Sequence, residues 1–307
     1  MRRLGIALAV VLGLHGGALA ATAQKSFESI DDAVNALIGA FRAVDRKALV
    51  EILGAKGRPL VESGDNVADQ QAFQRFVADY DRAHRVEGGG GKVVLYTGED
   101  DFPFPIPLVP DGPSWIWDTD AGDDEILFRR VGRNELSAIK VSLAYVDAQR
   151  EYYARDHTGK GILEFAQRLA STKGKQDGLY WETRPGERPS PLGPLVARAR
   201  AEGYRPGASG EPAPYHGYMY RPLLGQGPAA PGGAYDYIVK GHMIGGFALV
   251  AFPAKYAVSG IMTFIVSHDG VVYQKDLGPN TTRIAEAMKI YNPDRTWKQA
   301  EPDASKR

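Results

Sequence analysis

Gly260-Ile261-Met262-Thr263-Phe264-Ile265-Val266-Ser267-His268-Asp269-Gly270-Val271-Val272-Tyr273-Gln274-Lys275 sets two β-rich runs on either side of Asp269-Gly270. Both turn residues tolerate positive φ, so the stretch predicts a hairpin with a two-residue turn. Upstream, Gly245 to Phe252 is apolar throughout and stops at Pro253, which reads as a buried strand and is too short for a membrane span. Tyr235 to Val239 and Tyr215 to Leu224 are also strand-like. The C-terminal third therefore predicts an antiparallel meander, followed by a last helix over about Thr282 to Ile290 and a polar tail, 297–307.

Ahead of the meander, Leu136, Ile139, Leu143 and Val146 share one helix face, with Asn134 as cap and Arg155 near the end. A second helical stretch is expected near Ile162 to Leu169. From Arg184 to Pro231 the composition shifts to Pro, Gly and Arg and predicts loop, with a helical piece at Leu195 to Ala201. The first part of the chain opens with helices. Ile30, Val34, Leu37, Phe41 and Val44 recur at helical spacing, and Ser29 with Asp32 resembles a capping box. Asp45 and Gly54 bracket a short helix, and a third runs from about Asp69 to Arg85 until Gly88 to Gly91 break it. Lys92 to Thr97 and Trp115 to Trp117 read as strands, and the alternate prolines of Phe102 to Pro107 as an edge segment. Helices and then strands predict an α+β fold. It would divide into a small N-terminal helices-plus-sheet domain, 24–132, and a long helix with an antiparallel meander, 133–296, carrying the Pro/Gly-rich loop 184–231.

At the N-terminus, Arg2-Arg3, the apolar run Leu4 to Leu14 and the small residues of Ala18 to Ala23 make a signal peptide, 1–23. Export to the periplasm or the medium is the expectation, with the mature chain starting near Ala21 or Gln24. The 307 residues include no cysteine, which excludes disulfides, thiolate ligands and a lipid-anchor cysteine. Without Arg2 and Arg3 the balance is 35 basic against 37 acidic residues, so no general field draws nucleic acid or anionic lipid.

Several long motifs carry a resemblance. They are Gly112-Pro113-Ser114-Trp115-Ile116-Trp117-Asp118-Thr119-Asp120-Ala121-Gly122, then Arg129 to Leu136 (RRVGRNEL), and Gly174 to Trp181 (GKQDGLYW). Gly227 to Tyr237 (GPAAPGGAYDY) and Gly245 to Ala251 (GGFALVA) complete the set. The chain resembles the bacterial family catalogued as domain of unknown function 2950 over nearly all of its mature length. The resemblance implies export and carries no assigned activity, cofactor or catalytic residue. In shape, Ser29 to Leu53 with the later strands is similar to cone-shaped nuclear-transport-factor-like domains. The long helix with its meander resembles the globular part of pilin-like proteins, without the apolar tail that drives fibre assembly.

Catalytic signatures are missing: there is no phosphate-cradling glycine-lysine loop, paired-histidine zinc helix or nucleophile-elbow serine. Asp118, Asp120, Asp123, Asp124 and Glu125 form an acidic cluster whose spacing does not match a calcium loop and which suits the positive end of a helix. His216, His242 and His268 fall in the meander, where with Asp236 and Asp269 they could converge on a metal or acid–base site. Tyr218 with Tyr220, and Tyr235 with Tyr237, share strand faces and suit either cross-strand packing or a stacking platform. The candidate binding surface is thus Tyr218, Tyr220, Tyr235, Asp236, Tyr237, His242, His268 and Asp269.

The leading expectation is a non-catalytic envelope protein that binds a partner or self-associates through Tyr235 to Phe252 and the glycine-rich Gly225 to Gly233. It would use no cofactor, bind no nucleic acid and have no membrane span in the mature chain. One alternative is a periplasmic hydrolase or metal-dependent enzyme using His242, His268 and Asp236. Another is a small-molecule binder whose N-terminal cavity is lined by Phe104, Trp115 and Trp117.

Overall fold

The structure is a computed structural model that describes residues 24–205 and 212–300. The signal peptide expected at 1–23 and the end of the polar tail, 301–307, lie outside the described residues. Ser29 opens the first helix, its hydroxyl accepting from the Asp32 N–H at 3.1 Å. The reciprocal half of the capping box is absent, because the Asp32 carboxylate accepts from the Ser29 hydroxyl instead. Helix α1 (Ile30–Ala43) is followed by α2 (Arg46–Leu53), which Asp45 caps and Gly54 ends at φ 74°. Then come the short α3 (Arg58–Val61) and α4 (Asn66–Arg82), capped by Asp65.

The third helix was expected to run to Arg85 and meet a glycine break. It stops earlier, and the chain enters β1 (His84–Gly89), which pairs antiparallel with β2 (Lys92–Thr97). Gly90 and Gly91, at φ 62° and 80°, make the tight turn between them. All six residues of β1 are exposed, so no alternation of apolar and polar residues marked it in the sequence. The sheet continues with β3 (Phe102–Pro103) against β2, β4 (Leu108–Asp111) and β5 (Ser114–Trp117), all antiparallel. Leu37, Leu49, Leu53, Leu95, Ile106 and Trp117 fill the core between these helices and this sheet.

The long helix expected from Asn134 begins earlier, as α5 (Asp123–Tyr153), and Gly122 rather than Asn134 precedes it. Its 31 residues span about 46 Å. Gly132 lies inside it with open space around its Cα, a cost of about 1 kcal/mol that a packed helix tolerates. The Asn134 amide instead donates to the Ser259 carbonyl at 2.8 Å. Ile126 and Leu127 pack on the first core, and Ala138, Ile139, Tyr145, Val146 and Tyr152 belong to a second.

The helix expected near Ile162 to Leu169 is not formed; the segment is irregular. Its backbone is already committed elsewhere. Ala166 N–H donates to the buried Gln149 side chain at 2.8 Å and Phe165 N–H to the Met243 carbonyl at 2.7 Å. Helix α6 (Gly193–Ala201) follows in the loop-rich region. The main C-terminal sheet joins β6 (Tyr218–Leu223), β11 (Ala248–Pro253), β12 (Met262–Ser267), β13 (Val272–Asp276) and β15 (Lys298–Gln299). Its order is β15-β13-β12-β11-β6, antiparallel throughout. Helices α5 and α7 (Thr281–Ala287) both pack against β11, and all six of its residues are buried, which explains its unbroken apolar run.

Tyr235 to Val239 does not join this sheet as one strand. It splits into β8 (Tyr235–Asp236) and β9 (Ile238–Val239) at Tyr237, whose side chain turns into the core. Strand β8 pairs with β7 (Gly225–Gln226), which also pairs with β14 (Ile290–Tyr291), while β9 pairs with β10 (His242–Met243). In the hairpin of β12 and β13, His268 to Val271 all lie outside the ladder, and of the two turn residues only Gly270 takes a positive φ, 77°. The loop is therefore longer than the two residues expected. No helix among the described residues is long and apolar enough to cross a membrane.

Candidate functional site

The candidate surface residues are distributed between core and exterior. Tyr218 and Tyr237 are fully buried. The Tyr218 hydroxyl donates to the Met262 carbonyl at 2.9 Å, and that of Tyr237 to the Gln226 side-chain oxygen at 3.0 Å. Burial pushes both phenols above the ordinary tyrosine range. Tyr220 is half-buried on β6, two residues from Tyr218, whereas Tyr235 and Asp236 are exposed on β8. Each of the three histidines has its own carboxylate neighbour. His216 Nε2 lies 2.7 Å from Glu202, His242 Nδ1 lies 3.0 Å from Glu164, and His268 Nε2 lies 3.5 Å from Asp269. Among the described residues, no three His, Asp or Glu side chains come together to hold a metal ion.

The acidic cluster serves the start of α5. Asp123, Asp124 and Glu125 occupy its first turn, and Asp120 pairs with Lys56 at 2.7 Å. Trp117 is fully buried, with its ring edge-on to Phe104 at 5.6 Å, and the Trp115 backbone pairs with Phe27. Of the three residues expected to line an N-terminal cavity, Phe104 lines one.

A cleft of about 330 Å³ opens where α4 and the N-terminal half of α5 meet Tyr204 and His216. Helix α4 contributes Asp69, Gln71 and Arg75, and α5 contributes Arg130, Arg133 and Asn134. The spacing of Arg130 and Arg133, one helical turn apart, puts both guanidinium groups on the same face. Beneath the cleft, Asp65 is 1 % exposed and accepts from the Ala68 N–H at 3.0 Å, the Tyr204 hydroxyl at 2.9 Å and the Gly217 N–H at 2.8 Å. Gly217 must be glycine: its φ is 77°, and a Cβ would stand 2.4 Å from the Asn134 amide nitrogen.

The charges in the cleft do not cancel locally. Asp69 accepts from the Ser63 N–H at 3.0 Å and lies 4.0 Å from Arg46. Burial pushes its carboxyl up, against the opposing pull of Ser63, Arg130 and Arg46. Arg130 donates to the carbonyls of Pro59 and Leu60, and burial pushes its guanidinium down. Burial also pushes Arg133 down, followed by the neighbouring guanidiniums of Arg75 and Arg129. Among the described residues, neither Arg75 nor Arg133 has a carboxylate within ion-pair distance. Guanidinium groups brought together in this way suit a carboxylate or phosphate, whose oxygens match their forked N–H donors.

A cavity of about 370 Å³ at the other end of α5 is different in kind. There Arg188 faces Glu151 at 3.7 Å and Asp156 bonds to its own loop, and the wall carries the carboxylates of Glu151, Asp156 and Glu187 beside the guanidinium groups of Arg155 and Arg188. Sequence reasoning singled out His216 in the arginine cleft but none of the arginines. The available signal was Arg129-Arg130 and Arg133 within the RRVGRNEL motif, which alone reads as an ordinary solvated helix face.

Fold and site together define an α+β protein with two hydrophobic cores, one long helix common to both, and a guanidinium-lined cleft beside that helix. The chain belongs to the family described as "Protein of unknown function (DUF2950)", which matches residues 24–300. No curated protein and no solved structure matches it.

Proposed function

We propose that this is a non-catalytic binding protein of the bacterial envelope, and that its cleft takes a small anionic ligand at Arg75 and Arg133. The observation that carries the reading is the placing of two guanidinium groups, neither within ion-pair distance of a carboxylate among the described residues, on a cleft of about 330 Å³. Like charges held together on rigid helices cost free energy unless something of opposite sign occupies the space between them. The polar groups below are engaged in the scaffold. Asp65 accepts three hydrogen bonds, and the Tyr204 oxygen both donates to Asp65 and accepts from the His216 N–H. This favours holding a ligand over transforming one.

Calorimetric titration of phosphate and of succinate into the mature protein tests the reading. Saturable binding that weakens with added salt and is lost in Arg75→Gln and Arg133→Gln is expected. No heat of binding at millimolar anion overturns it. Export is tested separately, by sequencing the N-terminus of the protein recovered from the periplasm or the medium. A start near Ala21 or Gln24 is expected, and an intact precursor retained in the cytoplasm counts against it.

Self-association is a second reading, favoured by an apolar end on the small sheets. Leu224, Tyr235, Val239, Ile244 and Ile290 are each between 37 and 45 % exposed. They are neighbours through the backbone: Tyr237 N–H donates to Leu224, Ile244 N–H to Tyr237, and Ile290 pairs with Gly225. Exposed apolar residues grouped on neighbouring strands suit a contact surface, and a second copy of the chain is the partner this reading proposes. Sedimentation equilibrium should show a dimer that Ile244→Glu dissociates; a monomer at all concentrations overturns this reading.

A further inference from the structure

The arginine cleft has a neighbour of opposite character. A groove of about 190 Å³ runs along the first core, and its walls include Phe41, Phe73, Phe76, Phe104, Ile106 and Ile126. The two cavities share Ala72, Arg130 and Arg133, so they adjoin across one methyl group and two arginine side chains. The aromatic rings of the wall brace one another. Phe41 lies 5.0 Å from Phe76, and Phe76 lies 5.1 Å from Phe104. At the mouth, Phe102 is 46 % exposed, with the Arg129 guanidinium 4.5 Å above its ring. Apolar walls of this size, left open beside unmatched positive charge, are not the surroundings a small hydrophilic anion requires.

We infer that the ligand is a single-chain amphiphile, with an oxyanion head held by Arg75 and Arg133 and an apolar tail passing over Ala72 into the phenylalanine-lined groove. This rests on the anion-binding reading of the cleft and adds the chemical class of the ligand. The head is a carboxylate or a phosphate monoester, because a forked guanidinium pair recognises both. Arg133 lines both cavities, and an arginine can serve both halves of such a ligand, its N–H groups taking the anion and its aliphatic stem the tail. Each methylene that leaves water for the groove tightens binding about fourfold.

The test is calorimetry on the full mature protein with butyrate, octanoate, octyl phosphate and octanol, together with vesicles of phosphatidylglycerol. Octanoate and octyl phosphate should bind about tenfold or more tighter than butyrate. Octanol, which has no charged head, should bind more weakly than octanoate. Ala72→Leu, which fills the junction of the two cavities, should reduce the advantage of octanoate over butyrate. Phe102→Ser, at an exposed position on the groove mouth, should reduce the same advantage without depending on the behaviour of the Ala72 variant. Equal binding of butyrate and octanoate overturns the tail and leaves the anion cleft standing. Failure of every anion to bind overturns both readings. Octanol binding as tightly as octanoate overturns the placing of the head, and binding to vesicles alone overturns the single-chain occupant.

Discussion

A methyl group placed on Gly260 would lie 2.2 Å from the Tyr218 phenolic oxygen, which is itself held by the Met262 carbonyl in a fully buried position. The ring cannot retreat without leaving the core, so Gly260→Ala should lower unfolding stability by about 1–3 kcal/mol, measured by urea denaturation. Wild-type stability in this variant would mean the contact relaxes freely. Asp156 illustrates the opposite kind of residue, exposed yet fully bonded. Hydrogen bonds from the Gly161, Thr158 and Gly159 backbones, with Gly161 foremost, hold its carboxyl at about 2. A carboxyl lowered by folding from its ordinary value near 3.9 stabilises the native loop above that pH. The contribution disappears as pH falls through about 2. The difference in thermal midpoint between wild type and Asp156→Ala should therefore be full at pH 5 and shrink steadily as the pH falls towards 2. A difference that does not change with pH removes the charge from the explanation.

At the scale of elements, the boundary between what could and could not be read from the sequence follows the source of each element's hydrogen bonds. Helices α1 and α2 and strands β2, β11 and β12 were legible because local caps and apolar periodicity specify them within a few residues. The segment Ile162 to Leu169 has comparable local composition, but its partners come from far along the chain. Gln149, fully buried on α5, donates to the Ala166 carbonyl at 2.7 Å and accepts from its N–H at 2.8 Å, and Phe165 bonds to Met243. One glutamine thus provides a peptide-like partner in place of a helical turn. Gln149→Ala would leave both backbone groups of Ala166 buried and unpaired, a loss of about 1–3 kcal/mol for each. Hydrogen exchange should show faster exchange over residues 164–170, with α5 itself still protected. Equal loss of protection across α5 would instead mean that Gln149 supports the helix rather than the segment 164–170. Strand β1 was hidden for a different reason: with every residue exposed, only the Gly90-Gly91 turn marked it.

Across the whole molecule, the cleft exists because two cores are held in register, and no local pattern could announce it. Arg75 and Arg133 come from different helices, each of which reads in the sequence by its core face, whereas the ligand-facing side is defined only when Tyr204 and His216 arrive from the C-terminal part. The register depends on a few long-range bonds. Glu135 accepts from the N–H groups of Ile261 and Met262 at 3.0 Å each, and Arg130 ties α5 to the carbonyls of α3. Asp65 and Tyr204 bridge the N-terminal helices to the C-terminal part directly, at 2.9 Å. Burial and the Asp65 carboxylate push the Tyr204 phenol above the ordinary tyrosine range, which keeps its proton in the bond. Because Asp65 also caps α4 while Tyr204 also accepts from His216, each single substitution removes more than their shared contact. A double-mutant cycle with Asp65→Asn and Tyr204→Phe isolates that contact and should give a coupling of about 0.5–3 kcal/mol in urea unfolding. Tyr204→Phe should also weaken anion binding at Arg133 without touching a guanidinium, since loosening the bridge lets α4 and α5 move relative to Tyr204 and His216. Additive stabilities together with unchanged anion affinity would show that the cleft keeps its shape without this bridge, and that the shared helix α5 alone sets it.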